Sequence, residues 1–376
     1  MPDFVLNPHL DRSAAYGDER RGILSLDAAR TAHAAISGWA GYAPTPLRDL
    51  PAIADQLDLA QVLYKDEGER FGLKSFKALG GAYAVDRLVA QKGAAKAAES
   101  LTVTCATDGN HGRSVAWGAR RAGVKAVIYV HETVSEGRAA AIRGFGATVV
   151  REGRTYDDSV RACTEAAALN GWEIVSDTSW PGYEEVPKDV MQGYAVLAME
   201  AEAQGAQPTH VFVQGGVGGL AAGVLSYRWE KLGAARPVLV VVEPEKAACL
   251  FESARAGVVT TVGGDLDTIM AGLACGEPSI LAWRILKPGA DAFMTIPDVD
   301  AADAMKLLAS LGVVGGESGV AGLAGLIRAA DDPHLRAQLK LDGTSRVLCY
   351  GTEGATDAEV YRSIVGRDAE EVRGDA

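Results

Sequence analysis

The chain has 376 residues, 44 of them glycine and 14 proline, with 48 % hydrophobic residues and a formal net charge of −12. Ordinary usage of roughly 7 % would give about 26 glycines, and the excess follows no every-third-residue rhythm, so the chain is neither collagen-like nor a disordered low-complexity tract. A surface this acidic repels phosphate backbones and anionic headgroups, which argues against nucleic acid and membranes as partners.

The first ~40 residues carry little periodic signal. They also lack the basic-then-apolar layout of a signal peptide, and the chain has no apolar run of 18 residues, so a cytoplasmic protein of about two domains is expected. The five cysteines are widely spaced and form no CxxC pair; they read as small buried hydrophobes rather than a disulfide framework or a metal site.

The first segment with chemical content runs from Lys65 to Tyr83. Ser75 is a good N-cap, placing Lys77 in the first turn of a helix. The positive end of the helix dipole disfavours an ammonium there and lowers its pKa, as an amine that attacks an aldehyde requires. Taken alone, Lys77 reads equally as a solvated surface lysine.

From Leu101 onward, apolar β-branched runs alternate with amphipathic stretches. Strands are expected at 101–105, 126–130, 148–150 and 173–176, with helices at 109–122 and 136–144 between them. A second series has strands at 210–214, 238–242 and 346–350 and a helix at 218–232. This rhythm predicts parallel sheets covered by helices. The acidic tail after Gly366 is expected to lack regular structure.

Three more segments sit where strands run into glycine turns, the place where open α/β sheets bind ligands. The turn Thr107-Asp108-Gly109-Asn110-His111-Gly112 offers an amide and a carboxylate, or plain turn and cap residues. Gly215-Gly216-Val217-Gly218-Gly219 opens a helix, where backbone N–H groups converge on an anion. The same loop loosely matches a dinucleotide fingerprint, and Glu243 at the end of the next strand keeps a nicotinamide oxidoreductase open as an alternative. Finally, Gly351-Thr352-Glu353-Gly354 supplies a hydroxyl, or a helix cap.

One ligand combines an aldehyde, a phosphate, a phenolic oxygen and a ring nitrogen. It is pyridoxal 5′-phosphate, and lysine, glycine loop, asparagine and hydroxyl answer its four groups. The segments Ser75-Phe76-Lys77, Thr107-Asp108-Gly109-Asn110-His111-Gly112 and Gly215 to Gly219 resemble the signatures of the fold type II, tryptophan synthase β-like, pyridoxal phosphate enzymes. Lys65-Asp66-Glu67, Arg70-Phe71-Gly72, Asp177-Thr178-Ser179-Trp180, Met191-Gln192-Gly193-Tyr194 and the block Gly264 to Glu277 resemble the diaminopropionate ammonia-lyase family more closely.

That resemblance implies an α/β fold of two open parallel-sheet domains with the cofactor in the cleft between them. Residues 1–84 and 181–376 would form the large domain and 85–180 the small inserted one. It further implies α,β-elimination of 2,3-diaminopropionate, L and also D, to pyruvate and two ammonia, by a homodimer. Lys77 would hold the cofactor and take the α-proton of the L-substrate, and Asp108 would act on the opposite face for the D-enantiomer. Asp177 would be a second catalytic carboxylate; Phe76, Asn110, the residues Gly215, Gly216, Val217, Gly218 and Gly219, and Thr352 would bind the cofactor. His111 would pack beside it, and Arg113 and Glu353 would stand behind these contacts. Gly351 occupies the place where many relatives carry the serine that meets the ring nitrogen, and Lys74 is the rival lysine.

Two carboxylates near the β-carbon favour a cationic leaving group over hydroxide beside a second carboxylate. The alternatives are a serine, threonine or 3-hydroxyaspartate dehydratase of the same fold, the nicotinamide enzyme, and a non-catalytic pyridoxal phosphate binder.

Overall fold

The computed structural model describes residues 3–107 and 109–374. Its strands are β1 (Phe4–Leu6), β2 (Leu47–Asp49), β3 (Gln61–Asp66), β4 (Thr102–Ala106), β5 (Lys125–Val130), β6 (Thr148–Arg151), β7 (Glu173–Ile174), β8 (His210–Gln214), β9 (Val238–Pro244), β10 (Ala292–Ile296) and β11 (Arg346–Gly351). They form a seven-stranded sheet ordered β1-β10-β9-β8-β11-β3-β2 and a four-stranded sheet ordered β6-β5-β4-β7. The small sheet is parallel throughout. In the large one only the edge strands β1 and β2 run antiparallel, so the expected α/β class with two open, mainly parallel sheets holds.

The composition of the strands explains the arrangement. His-Val-Phe-Val-Gln of β8 and Ala-Phe-Met-Thr-Ile of β10 are buried at every position. Such continuous apolar runs belong to strands with helices on both faces. Pairing in register, Val211 with Leu239 and Leu348 with Val211, brings the C-terminal ends of β8, β9 and β11 to one edge.

The expected elements lie within about two residues of the observed ones, which include helices Asn110–Ala122, Glu136–Arg143 and Gly219–Leu232. The tail differs from expectation. Helix Ala369–Gly374 buries Ala369 and Val372, two apolar positions one turn apart and too few to register as periodicity. The N-terminal region is also structured: β1 pairs Phe4 with Met294, and helix Leu26–Ser37 buries Ala29, Ala32 and Ile36.

The helix that follows Lys77, Ala78–Lys92, is set by close crossings. A Cβ on Gly193 would lie 1.8 Å from the Leu79 carbonyl oxygen, and one on Gly80 would lie 2.5 Å from the Tyr194 ring. Only glycine lets helix Glu185–Ala203 approach so near. Among the described residues no helix is long and apolar enough to cross a membrane.

Candidate active site

A solvent-open cleft of about 1140 Å³ lies at the C-terminal ends of β4, β8 and β11. Phe76, Lys77, Asn110, Asp177, Gly216, Val217, Gly218, Gly219 and Thr352 all line it. Residues named from five distant segments thus meet in one place. Asp108 lies outside the described residues. The rival Lys74 does not line the cleft; its backbone carbonyl accepts from Gly354 N instead.

Lys77 stands at the cap position itself rather than inside the first turn, and its backbone N–H donates to Ser75 Oγ at 3.2 Å. Its Nζ donates to Asp177 Oδ2 at 2.6 Å. The expectation of a lowered lysine pKa is corrected here. Burial does oppose the charge, but the Asp177 carboxylate outweighs it and raises the ammonium's pKa. The reverse holds for Asp177: burial would raise it, yet the Lys77 ammonium holds it below the usual carboxylate range.

His111 follows Asn110 at the start of helix Asn110–Ala122. Its Nε2 donates to the Val175 carbonyl at 2.7 Å, and burial lowers its pKa. A neutral imidazole protonated on Nε2 leaves Nδ1 3.8 Å from Asp177 without a proton to give. His111 therefore stands beside Asp177 in the cleft lining as a neutral imidazole and makes no hydrogen bond to it.

The glycine loop turns from β8 into helix Gly219–Leu232, with Gly218 at φ +96°. Gly215 stands behind the lining, where a Cβ would come within 2.7 Å of Val241 and 2.8 Å of Leu250. Glu243, the acidic residue a dinucleotide site would need, is fully buried and accepts from Leu250 N at 2.9 Å and Phe251 N at 2.6 Å. It caps helix Cys249–Ala256 and is not offered to a ribose, which removes the main support for the nicotinamide alternative.

At the other end of the cleft, a Cβ on Gly351 would fall 2.1 Å from the Tyr64 ring, so a serine does not fit there. Thr352 presents the hydroxyl. Gln214 Nε2 donates to its Oγ1 at 2.6 Å and to Tyr350 O at 2.9 Å, leaving the hydroxyl hydrogen to donate into the cleft. Gln214 was legible only as the last residue before the glycine loop, and Glu317, in the stretch Gly316-Glu317-Ser318-Gly319, was given no role. Glu317 is 2 % exposed, lines the cleft, and its Oε2 has no hydrogen-bond partner among the described residues. Burial, and then the charge of Glu353, push its pKa up to about 8. Tyr194 stands at the cleft wall with Lys77 Nζ 5.8 Å from its ring centre.

These groups fit pyridoxal phosphate. An amine stands at one point of the cleft, and the glycine loop that opens helix Gly219–Leu232 brings backbone N–H groups to a helix N-terminus. An amide lies beside β4 and a free hydroxyl hydrogen at the end of β11. The family model described as "Pyridoxal-phosphate dependent enzyme" matches residues 39–351. The curated diaminopropionate ammonia-lyase of Escherichia coli (strain K12) is 39 % identical over 389 residues, covering 97 % of this chain and 98 % of that protein. The crystal structure of the holo diaminopropionate ammonia-lyase from Escherichia coli superposes with a TM-score of 0.90 at 38 % identity, covering 97 % of this chain and 96 % of that one. The same enzyme in complex with D-serine gives 0.89 at 38 % identity, with 97 % of each chain covered. Site geometry and kinship agree: the chain belongs to the pyridoxal-phosphate dependent enzyme family and, within it, to the diaminopropionate ammonia-lyase family.

Proposed function

We propose that the protein is a pyridoxal-phosphate-dependent ammonia-lyase that eliminates ammonia from 2,3-diaminopropionate and yields pyruvate and two ammonia. The observation that carries this reading is the Lys77–Asp177 pair, 2.6 Å apart in the cleft, in a chain 39 % identical to a diaminopropionate ammonia-lyase over nearly its full length. Pyridoxal phosphate, when bound, supplies an electron sink next to the substrate amine.

The chain's own residues do the rest. The backbone of Gly216 to Gly219 binds the phosphate, Asn110 the phenolic oxygen and Thr352 the ring nitrogen, with Phe76 against the lysine side. Lys77 Nζ, as a neutral amine, accepts the proton from the α-carbon. Asp177 then holds the ammonium formed, in the geometry observed between them. The β-nitrogen enters as an ammonium, so when the C–N bond breaks its electron pair stays on nitrogen and neutral ammonia departs without a further proton. Asp177 also draws that ammonium to the lysine side of the cleft. For the D-enantiomer we assign proton abstraction to Asp108, as the family resemblance implies; the Escherichia coli enzyme has itself been crystallised in complex with D-serine.

The test is pyruvate or other 2-oxoacid release by the holoenzyme over a panel of β-substituted amino acids. Diaminopropionate should be the best substrate and Asp108→Asn should lose the D-form selectively. Preference for serine, threonine or 3-hydroxyaspartate would establish a dehydratase, and a yellow protein that turns over nothing would be a binder. The band near ~410–420 nm should vanish in Lys77→Ala, which a nicotinamide enzyme would not do. Division into 1–84, 85–180 and 181–376, a homodimeric state and a cytoplasmic location complete the proposal. Sheet membership supports the first, since β4 to β7 all fall between residues 102 and 174, and light scattering tests the second.

A further inference from the structure

The cleft holds a carboxylate that the reaction does not use. Glu353 follows Thr352 and is 6 % exposed. Its backbone forms a bridge with Ser75, two residues before Lys77. Both of its carboxylate oxygens accept: Oε1 from Ser318 N at 2.9 Å and Oε2 from Asn110 Nδ2 at 2.5 Å. Arg113, whose Nη1 donates to Leu73 O at 3.0 Å, lies within electrostatic reach, as does Glu317.

An asparagine amide has a donor end and an acceptor end of nearly equal shape, and a half-turn about its last bond exchanges them. Toward a phenolic oxygen only the NH2 end is attractive; the carbonyl end would set oxygen against oxygen. A carboxylate accepts and never donates, so the NH2 end must face Glu353. That nitrogen carries two hydrogens. One goes to Glu353 and the second remains for the cleft.

We propose that Glu353 is a positioning residue for the cofactor: it locks the Asn110 amide in the rotation that presents N–H, not C=O, to the phenolic oxygen of pyridoxal phosphate. The proposal rests on the reading of Asn110 as the partner of that oxygen. It also links the three cofactor contacts that come from separate segments, because Glu353 is joined by backbone to the Lys77 segment, by sequence to Thr352 and by side chain to Asn110.

Glutamine at 353 offers one acceptor where two donors, Ser318 N and Asn110 Nδ2, now converge. One of them must lose its partner, or Asn110 must rotate. Glu353→Gln should therefore raise the Kd for pyridoxal phosphate about tenfold, the scale of one lost charge-assisted hydrogen bond, and shift or weaken the visible band of the holoenzyme. Asn110→Ala should do the same. The double variant should bind no worse than Asn110→Ala alone, since Glu353 acts only through Asn110. Glu353→Asp keeps both acceptors and should retain more of the band than Glu353→Gln.

Measured by equilibrium dialysis and absorbance, with the Tm of each cofactor-stripped variant as a check on folding, the outcomes separate. An unchanged Kd and band in Glu353→Gln, or losses that multiply in the double variant, overturn the role of Glu353. An unchanged Asn110→Ala overturns the reading of Asn110 and the proposal with it. If Glu353→Gln does not fold, Glu353→Asp compared with Asn110→Ala and their double variant decides the same question.

Discussion

Asp177 shows how a single side chain can be functional for reasons its local sequence does not contain. It lies 100 residues from Lys77, and its contact at 2.6 Å exists only because the loop after β7 reaches across to the helix Ala78–Lys92. Asp177→Asn removes the counter-charge that stabilises the protonated lysine. Turnover of L-diaminopropionate should fall by about 10²–10⁴-fold, the usual scale for a lost acid–base partner, while folding stays intact by circular dichroism. Full activity in that variant would end the assignment. Glu317 makes a prediction of opposite electrostatic sign. Its carboxyl titrates at 4.5 ordinarily and at about 8 in the fold, because burial and the Glu353 charge keep it neutral. Between those values the folded chain binds a proton that the unfolded chain has lost, so this group makes stability decline as pH rises through the window and adds no further slope above it. Glu317→Gln should flatten that decline in denaturant titrations from pH 5 to 8. The lysine, the asparagine and the glycine loop were legible because each sits in a short local pattern of strand end, glycine turn and helix start. Gln214 was not, and Glu353 only as a residue behind the contacts with no partner named, because their roles consist of bonds across 138 and 243 residues of chain.

At the scale of elements, what was legible tracks how each element meets its surroundings. The helix over 110–122 carries a polar side and a buried side, and its limits were readable to within a residue. Strand β10 and helix Ile280–Gly289 were not among the expected elements, and Pro288 inside that helix reads locally as a break. Helix crossings are the hardest feature to read, since a glycine needed for close approach looks like any other. Gly193 is the sharpest case. A methyl group there would meet the Leu79 carbonyl oxygen and carbon at 1.8 and 2.6 Å, both backbone atoms of the helix that follows Lys77. Gly193→Ala must push helix Glu185–Ala203 away from Ala78–Lys92, at a cost of about 1–3 kcal/mol or more because backbone has no rotamer to yield. Loss of the cofactor band should accompany the loss of stability. Gly263, with open space around it, is the control: Gly263→Ala should leave both unchanged, and equal behaviour of the two variants would refute the crossing as the cause.

Across the whole molecule, the cleft is held by a charge cluster with no exposure of its own. Lys65, Glu67, Arg70 and Glu200 have side chains at most 1 % exposed. Arg70 bridges Glu67 and Glu200 at 2.7 Å each, and Lys65 meets Glu200 at the same distance. Two positive and two negative groups balance, and the remaining donors reach Thr45 O at 2.7 Å and Ala43 O at 3.2 Å. Such a cluster is a poor source of net stability compared with apolar packing, because its members were fully hydrated in the unfolded chain. Its value lies in what it aligns. Glu67 N donates to Gly351 O, Phe76 N to Thr352 O, and Gly354 N to Lys74 O, so the segment anchored by Arg70 is stitched along the segment that carries Thr352 and Glu353. Helix Glu185–Ala203 enters the same cluster through Glu200. Arg70→Met would leave two buried carboxylates facing one ammonium, and breaking a buried set in this way costs about 3–5 kcal/mol. For a chain of 376 residues that corresponds to a drop in Tm of about 4–6 °C at ~2.1 cal/mol/K per residue. Adding Glu67→Gln restores neutrality around the Lys65–Glu200 pair and should return part of the loss, whereas a Tm unchanged in Arg70→Met would show that the cluster is not what holds the two cofactor-bearing segments in register.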